Sequence, residues 1–438
     1  MSERPKIIVL DDDPTGSQTV HSCLLLMQWD VETLKLGLQD DAPIFFVLTN
    51  TRSQPPSAAE RITREVCHNL KQAMAEAGTT EFLVVSRSDS TLRGHYPIET
   101  DVMAEELGPF DAHFMVPAFF EGGRVTLDST HYIESAAGRT PVHQTEFAQD
   151  SVFGYRHSYL PDYVAEKTQG RIPAEQVVRF TRDRLQQGSL ERLMQLSDNV
   201  CVAVDAKTQA DLDGFAQDLL TAAARGKRFL FRSAASLLTS LADLAPQPVA
   251  ATAMSQYARS DQPGAILVGS HVQKTTRQLE QLLQLEKITG IEVDITQLKA
   301  DLSAVPALLE TVLEQVQAAY QQQQTPAIYT SREELTFEDA ETRLRFGTAV
   351  STLLMDILRG LPDDISFLIS KGGITSNDTL SQGLALRSAR LLGQILPGVS
   401  LVMTPGSHPQ FPHLPVVLFP GNVGDETAIA TVYQRLQR

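Results

Sequence analysis

Short apolar runs, each broken by a cluster of small and polar residues, set the rhythm of the chain. Lys6–Leu10, Ile44–Leu48 and Phe82–Val85 have strand length and are rich in β-branched or aromatic residues. Each runs into a polar stretch: DDDPTGSQT, TNTRSQPP and SRSDSTLRG respectively. Continuous apolar segments of this length predict strands in an α/β domain, with the polar stretches at their carboxyl ends. Between the second and third runs, residues 57–78 mix alanine with apolar and charged positions, a pattern that predicts a helix with one sheet-facing stripe. A βα crossover of this kind brings separated loops to one sheet edge.

The same alternation continues through strands predicted at His113–Ala118, Asn199–Asp205 and Arg228–Arg232, with a helix at Ala210–Gly226. Residues 130–170 change periodicity repeatedly, as either an irregular cap over a ligand or an outer hairpin would. A weakly periodic, proline-bearing stretch covers 244–264. Beyond it the pattern predicts strands at Ala265–Ser270, Gly290–Asp294, Ala327–Thr330 and Ile365–Ile369, and in LVMTP and PVVLFP. Helices are predicted at Lys274–Glu286, Val305–Gln322, Glu338–Leu358 and Thr379–Leu392. The expected fold class is α/β, with two domains, 1–250 and 251–438, and a substrate/nucleotide cleft between them.

Composition narrows the class. At 438 residues the chain exceeds the comfortable size of one compact domain. A hydrophobic fraction of 42% and a charged fraction of 21% suit a folded soluble protein. The formal net charge of −16 is spread along the chain, which argues against nucleic acid or an anionic membrane as partner and leaves local basic pockets for small anions. The start, MSERPKIIVLDDDPTG, lacks a signal-peptide core, and no uninterrupted apolar span follows, so cytoplasmic residence is expected. Cys23, Cys67 and Cys201 are far apart and are expected as buried apolar side chains, not as a disulfide framework or a zinc site.

Candidate chemistry lies in the polar stretches. Asp11, Asp12 and Asp13 would repel one another unless hydrogen bonds, a cation or divergent directions compensate. Asp12 suits orientation of hydroxyls or proton removal, and Asp11 or Asp13 suits capping of the next turn. Asn50 and Arg52 close TNTR. A guanidinium grips a planar carboxylate through two donors, although a surface ion pair uses the same residue. Arg87, Asp89, Ser90, Thr91 and Arg93 can together satisfy a carboxylate and several hydroxyls, with Asp89 a general base for a hydroxyl attacking phosphate; the alternative is a charged, self-capped turn.

Toward the other end, Lys371, Gly372, Gly373, Ile374, Thr375 and Ser376 follow a strand and precede a predicted helix. Small residues there let backbone donors approach phosphate, as they do in the second small loop, Gly421, Asn422 and Gly424. Tight turns use the same residues, and neither stretch has the P-loop pattern. Ser270 ends another strand, where it suits a phosphate contact or a helix cap.

Taken in order, LDDDPTGSQT (10–19), TNTR (49–52), SRSDSTLRGHY (86–96), FRSAAS (231–236), GSHVQKTT (269–276), KGGITSND (371–378) and FPGNVG (419–424) resemble the four-carbon acid sugar kinase family. The resemblance runs through most of the chain. It implies a two-domain ATP-dependent kinase acting on acids such as threonate, erythronate, 3-oxo-tetronate or related branched oxo-acids. On the family pattern Asp11, Asp12, Arg52, Arg87, Asp89, Ser90, Thr91 and Arg93 fall in the substrate site. Ser270, Gly372, Gly373, Ile374, Thr375, Gly421 and Gly424 fall in the nucleotide site. Asp13 and Arg87 depart from the commoner pattern, which has an aromatic residue before TG and a lysine before DSTLRG.

The expectation is therefore a transferase that moves the γ-phosphoryl group of ATP, with Mg²⁺ on its phosphates, to a hydroxyl of a small anionic sugar acid, releasing ADP. Asp89 is the first candidate for the base and Asp12 the second. A homo-oligomer is compatible with the sequence. Two other classes fit the acidic loops less fully: an oxo-acid lyase or isomerase, and a non-catalytic sugar-acid or nucleotide sensor.

Overall fold

The polar stretches are brought together by strand register. The computed structural model describes residues 4–136, 138–332, 335, 337 and 339–438. The chain forms two compact units that meet in sequence at Ala245 and Pro246.

The first unit contains strands β1 (Lys6–Asp11), β2 (Leu24–Leu26), β3 (Ile44–Leu48), β4 (Phe82–Arg87), β5 (Ala112–Val116), β6 (Arg124–Leu127), β7 (Thr130–Ser135), β8 (Gly138–Pro141), β9 (Val178–Phe180), β10 (Val200–Val204) and β11 (Phe229–Ser233). Eight of them form a parallel array in the order β2-β3-β1-β4-β11-β5-β10-β9. Its central strands are buried and, away from their ends, apolar, as strands packed against helices are. One such helix is Pro56–Ala77, whose stripe of Val66, Cys67, Leu70, Ala73 and Met74 shares a core with Ile8, Leu10, Phe45, Val47 and Val84. Register places Asp11 opposite both Leu48 and Arg87, and Arg87 opposite Ser233. The carboxyl ends of β3, β1, β4 and β11 are thus level, and the loops that leave them start side by side.

The stretch 130–170 holds both a hairpin and an irregular part. β6, β7 and β8 make an antiparallel sheet, followed by short 3₁₀ turns and the helix Leu160–Lys167. The β6–β7 turn places Asp128 and Ser129 at positive φ (49° and 62°), the hairpin geometry that matches strand twist. The Asp205 carboxylate secures it by accepting both turn amides, at 2.8 and 2.7 Å.

The second unit contains β12 (Ala265–Val268), β13 (Ile288–Val293), β14 (Thr325–Thr330), β15 (Leu368–Lys371), β16 (Ser388–Leu396), β17 (Val399–Met403) and β18 (Pro415–Phe419), in the order β13-β14-β12-β15-β18-β17-β16. The pairs up to β18 are parallel and those of β17 antiparallel. Lys371 pairs with both Val268 and Phe419, so the turns after β12, β15 and β18 also leave from one level.

The α/β class is borne out, but one predicted helix is not. Residues 379–392 end their helical part at Gly383 and then enter β16. The Leu/Ala-rich sequence favours helix locally, yet the Pro397–Gly398 turn, with Gly398 at φ 76°, folds β16 back on β17, and the pairing overrides propensity. The helix expected from Glu338 runs Ala340–Arg359, and residue 338 lies outside the described residues. All three cysteines are buried and unbridged. Among the described residues no helix is long and apolar enough to cross a membrane.

Candidate functional site

In the first unit the level strand ends gather a buried cluster of acids and arginines. Arg52 turns its guanidinium fork onto Asp12: Nε donates to Oδ2 at 3.1 Å and Nη2 to Oδ1, while Nη1 donates to Asp13 Oδ2 at 3.1 Å. Ser88 Oγ donates to Asp12 Oδ2 at 3.0 Å. Arg87 Nη1 lies 3.6 Å from Asp11 Oδ1 and 3.8 Å from Asp12 Oδ1. Asp89 holds its own loop, accepting from Thr91 N at 3.2 Å, from the Thr91 hydroxyl, and from Arg93 Nε at 2.9 Å. The repulsion expected among three consecutive aspartates is thus relieved by two arginines and by divergent directions. Asp13 also caps its turn, with Thr15 N donating to Oδ1 at 2.8 Å.

The acids differ in proton affinity because their partners differ. Burial pushes Asp11 up to about 8, with Arg87 opposing and Asp12 and Asp13 adding to the rise. Its Oδ2 has no hydrogen-bond partner. Asp13 and Asp89 are half-buried, which by itself would raise them, but Arg52 with Arg87 holds Asp13 below the usual carboxylate range, and Arg52 with Arg93 holds Asp89 well below it. A carboxylate so strongly paired is a weak base.

Of the residues proposed from the sequence for this site, Asp11, Asp12, Arg52 and Arg87 form one set of these contacts and Asp89, Thr91 and Arg93 another, linked through Ser88 Oγ, which also lies 3.1 Å from Arg93 O as donor to it. Asn50 enters through its backbone, with its N–H donating to Asp11 O at 3.3 Å, and Ser90 is buried beside Asp89. The arginine that sequence reasoning left out of the cluster is Arg232, the penultimate residue of β11 and 1% exposed. Its Nη2 donates to Arg93 O at 2.9 Å and to Ser88 Oγ at 3.3 Å, whereas Nε and Nη1 have no partner. Arg87 Nε is likewise unpartnered. An arginine inside the otherwise apolar FLFRS was the available signal, since a buried guanidinium needs a purpose or a partner.

In the second unit two turns lie side by side, and the one after β18 is fastened by its carbonyls. Pro420 O accepts from Lys371 Nζ (2.6 Å), Gly421 O from Thr275 Oγ1 (2.9 Å), Asn422 O from Lys274 Nζ (3.2 Å), and Val423 O and Asp425 O from Gln278 Nε2 (2.9 and 2.7 Å). The amides of Gly421, Asn422, Val423 and Gly424 donate to no acceptor among the described residues. Gly372 N donates to Phe419 O at 2.8 Å, tying the second turn alongside. Gly373, Ile374 and Thr375 open the helix Gly373–Asp378, so their amides lack an intrahelical acceptor. Ser270 lies between the turns: a Cβ on Gly421 would meet its Oγ at 2.8 Å, and one on Gly372 its Cβ at 3.1 Å. Unpartnered backbone donors in small-residue turns of this kind suit an anion. Ile374 and Val272 flank the turns as large apolar side chains left 73% and 43% exposed.

Two side chains expected to meet nucleotide are instead turned inward. Ser376 is buried with its hydroxyl donating to Ser370 O at 3.1 Å. Lys371 is buried, its ammonium on Pro420 O and 3.8 Å from the centre of the Phe419 ring. Burial, reinforced by Lys274, lowers its pKa to about 7 from 10.5. Between those values the unfolded chain holds a proton that the folded chain has released, so Lys371 makes stability rise with pH through that window. Lys371→Met is expected to flatten this rise. Thermal melting profiles of variant and wild type that stay parallel from about pH 7 to 10 would overturn the assignment.

Among the described residues no group of three or more His, Cys, Asp or Glu is arranged to hold a metal ion. Phosphate oxygens fit the donor set of the two turns.

A family model described as a sugar-binding N-terminal domain matches residues 7–241, more than half of the chain. One described as a nucleotide-binding C-terminal domain matches residues 265–429. A D-erythronate kinase of Heliobacterium modesticaldum is 27% identical over 221 residues, covering 48% of this chain and 47% of the relative, so the match spans about half the length of that curated relative. Two solved structures share the fold. A Salmonella typhimurium LT2 protein provisionally named a tRNA synthase is 20% identical, with a TM-score of 0.72 and 99% of both chains covered. A Haemophilus influenzae protein of the DUF1537 family is 18% identical, with a TM-score of 0.64, covering 98% of this chain and 100% of the other.

Proposed function

The chain belongs to the family defined by the sugar-binding N-terminal domain, and from that premise we propose that it is an ATP-dependent kinase phosphorylating a hydroxyl of a small four-carbon sugar acid or a related 3-oxo or branched oxo-acid. The observation that carries this reading is the pair of adjacent turns, whose unpartnered amides at Gly373–Thr375 and Gly421–Gly424 suit the phosphates of a nucleotide. Ser270 adds a hydroxyl between them, and Ile374 and Val272 offer apolar surface to the base.

The acceptor is assigned to the acid and arginine cluster of the first unit. A sugar-acid carboxylate suits the uncommitted donors of Arg87 and Arg232, because Arg52 already spends its fork on Asp12 and Asp13. Asp12 and Asp89 are oriented by their arginines and suit alignment of acceptor hydroxyls. Phosphoryl transfer through a loose transition state draws more on positioning and electrostatics than on a strong base, so the low proton affinity of Asp89 is compatible with orienting the attacking hydroxyl. Mg²⁺ bound with ATP would neutralise phosphate charge.

The test is a screen of four-carbon sugar acids, their 3-oxo forms and branched oxo-acids with ATP and Mg²⁺, with products identified by mass and phosphate position. One ADP formed per phosphorylated acid is expected. Acid binding without turnover would point to a sensor, and ATP-independent conversion to a lyase or isomerase. Either outcome would displace the kinase reading.

A further inference from the structure

The loop after β4 is also held by its carbonyls, and most of the donors come from the segment between β5 and β9. Ser90 O accepts from His131 Nε2 (2.7 Å), Thr91 O from the Tyr155 hydroxyl (2.6 Å), Leu92 O from the Tyr163 hydroxyl (2.7 Å) and Arg93 O from Arg232 Nη2 (2.9 Å). The four acceptors are consecutive, and all four donor side chains are buried. His131 donates through Nε2 as a neutral imidazole. Burial lowers its pKa to about 4, and Nδ1 lies 2.9 Å from the Thr126 hydroxyl, which donates to it in that tautomer.

This pinning fixes an unfavourable backbone. Leu92 sits at φ 68°, a conformation leucine seldom adopts, and its side chain is buried in one cluster with Val142, Tyr155, Leu160 and Tyr163. In a trans peptide the carbonyl and the following amide point in opposite directions. The Leu92 carbonyl, drawn to Tyr163, and the Arg93 carbonyl, drawn to Arg232, therefore turn the amides of Arg93 and Gly94 the other way, and these donate to no acceptor among the described residues. The segment also reaches the charged side of the loop: Phe147 lies 5.0 Å beneath the Arg93 guanidinium, and Asp150 Oδ2 is 3.8 Å from Arg93 Nη1.

We propose that the inserted segment is the positioning element of the acceptor site: His131, Tyr155 and Tyr163 set the backbone of Ser90–Arg93, and thereby the affinity for the sugar acid, without touching nucleotide. This rests on reading that loop as the acceptor site.

The test is the double variant Tyr155→Phe/Tyr163→Phe, which removes two hydroxyls and keeps both rings in the core. The expected result is a KM for the sugar acid raised at least about tenfold, with the KM for ATP within about twofold of wild type. Hydrogen exchange at 88–96 should accelerate while the turns at 372–375 and 420–425 keep wild-type rates. Equal changes in both KM values, or unchanged exchange at 88–96, would overturn the proposal. Should the double variant fail to fold, Tyr155→Phe alone carries the same comparison. A wild type that phosphorylates no sugar acid would defeat the kinase reading, whereas the exchange comparison still decides whether the segment sets the loop.

Discussion

Asp12→Ala is expected to cost about 3–5 kcal/mol of folding stability and to lower sugar-acid phosphorylation at least about a hundredfold. Asp12 is 1% exposed and receives both a bidentate fork from Arg52 and the Ser88 hydroxyl. Removing its carboxylate leaves Arg52 hydrogen-bonded to Asp13 alone and leaves Ser88 without its acidic acceptor. Loss of one member of a buried pair is costly because the other stays desolvated without compensation. Asp12→Asn keeps the shape and removes the charge, so it should be more stable than the alanine variant and about as inactive. Urea unfolding midpoints with kcat on the same preparations separate the two effects. An Asp12→Ala protein within about 1 kcal/mol of wild type would show that the network contributes little to stability.

The second large effect is expected in the other unit. Gly372 sits at φ 123° and ψ 141°, a region only glycine occupies without strain, which costs other residues about 1–3 kcal/mol. A Cβ there would lie 3.1 Å from both Ser270 Cβ and Thr375 Oγ1, pushing apart the groups that line the turn. Gly372→Ala is therefore expected to weaken ADP binding at least about tenfold while leaving sugar-acid binding intact. Gly373→Ala is the control, since its Cβ would meet nothing within 4 Å and its position is already helical. Calorimetric titration with ADP distinguishes them; two variants with the same affinity would remove the argument from Gly372 geometry.

Much of the site was legible because strand–loop punctuation is local. The apolar runs ending at Leu10, Leu48 and Val85 and the polar residues after them already placed Asp11–Asp13, Arg52 and Arg87–Arg93 at strand exits. KGGITS and FPGNVG could be recognised as turns by their small residues alone. Other features left weaker traces. Arg232 was hidden in an apolar strand, and residues 388–392 looked helical because the partner strand, not local propensity, decides their conformation. The inward orientation of Lys371 and Ser376 follows from which face of a strand end or first helical turn packs against the sheet, which residue type does not reveal.

The sequence by itself determined the α/β class, the order of the loops and the chemical character of each, since these follow from periodicity, turn chemistry and side-chain functional groups. Only the tertiary structure decided which charges neutralise one another. Asp12 and Arg52 are 40 positions apart and meet because β1 and β3 are level neighbours. It also decided how the loops are held, because their anchors are main-chain carbonyls, which every residue carries. The donors that reach them, Tyr155, Tyr163, Gln278 and Lys371, are selected by geometry alone.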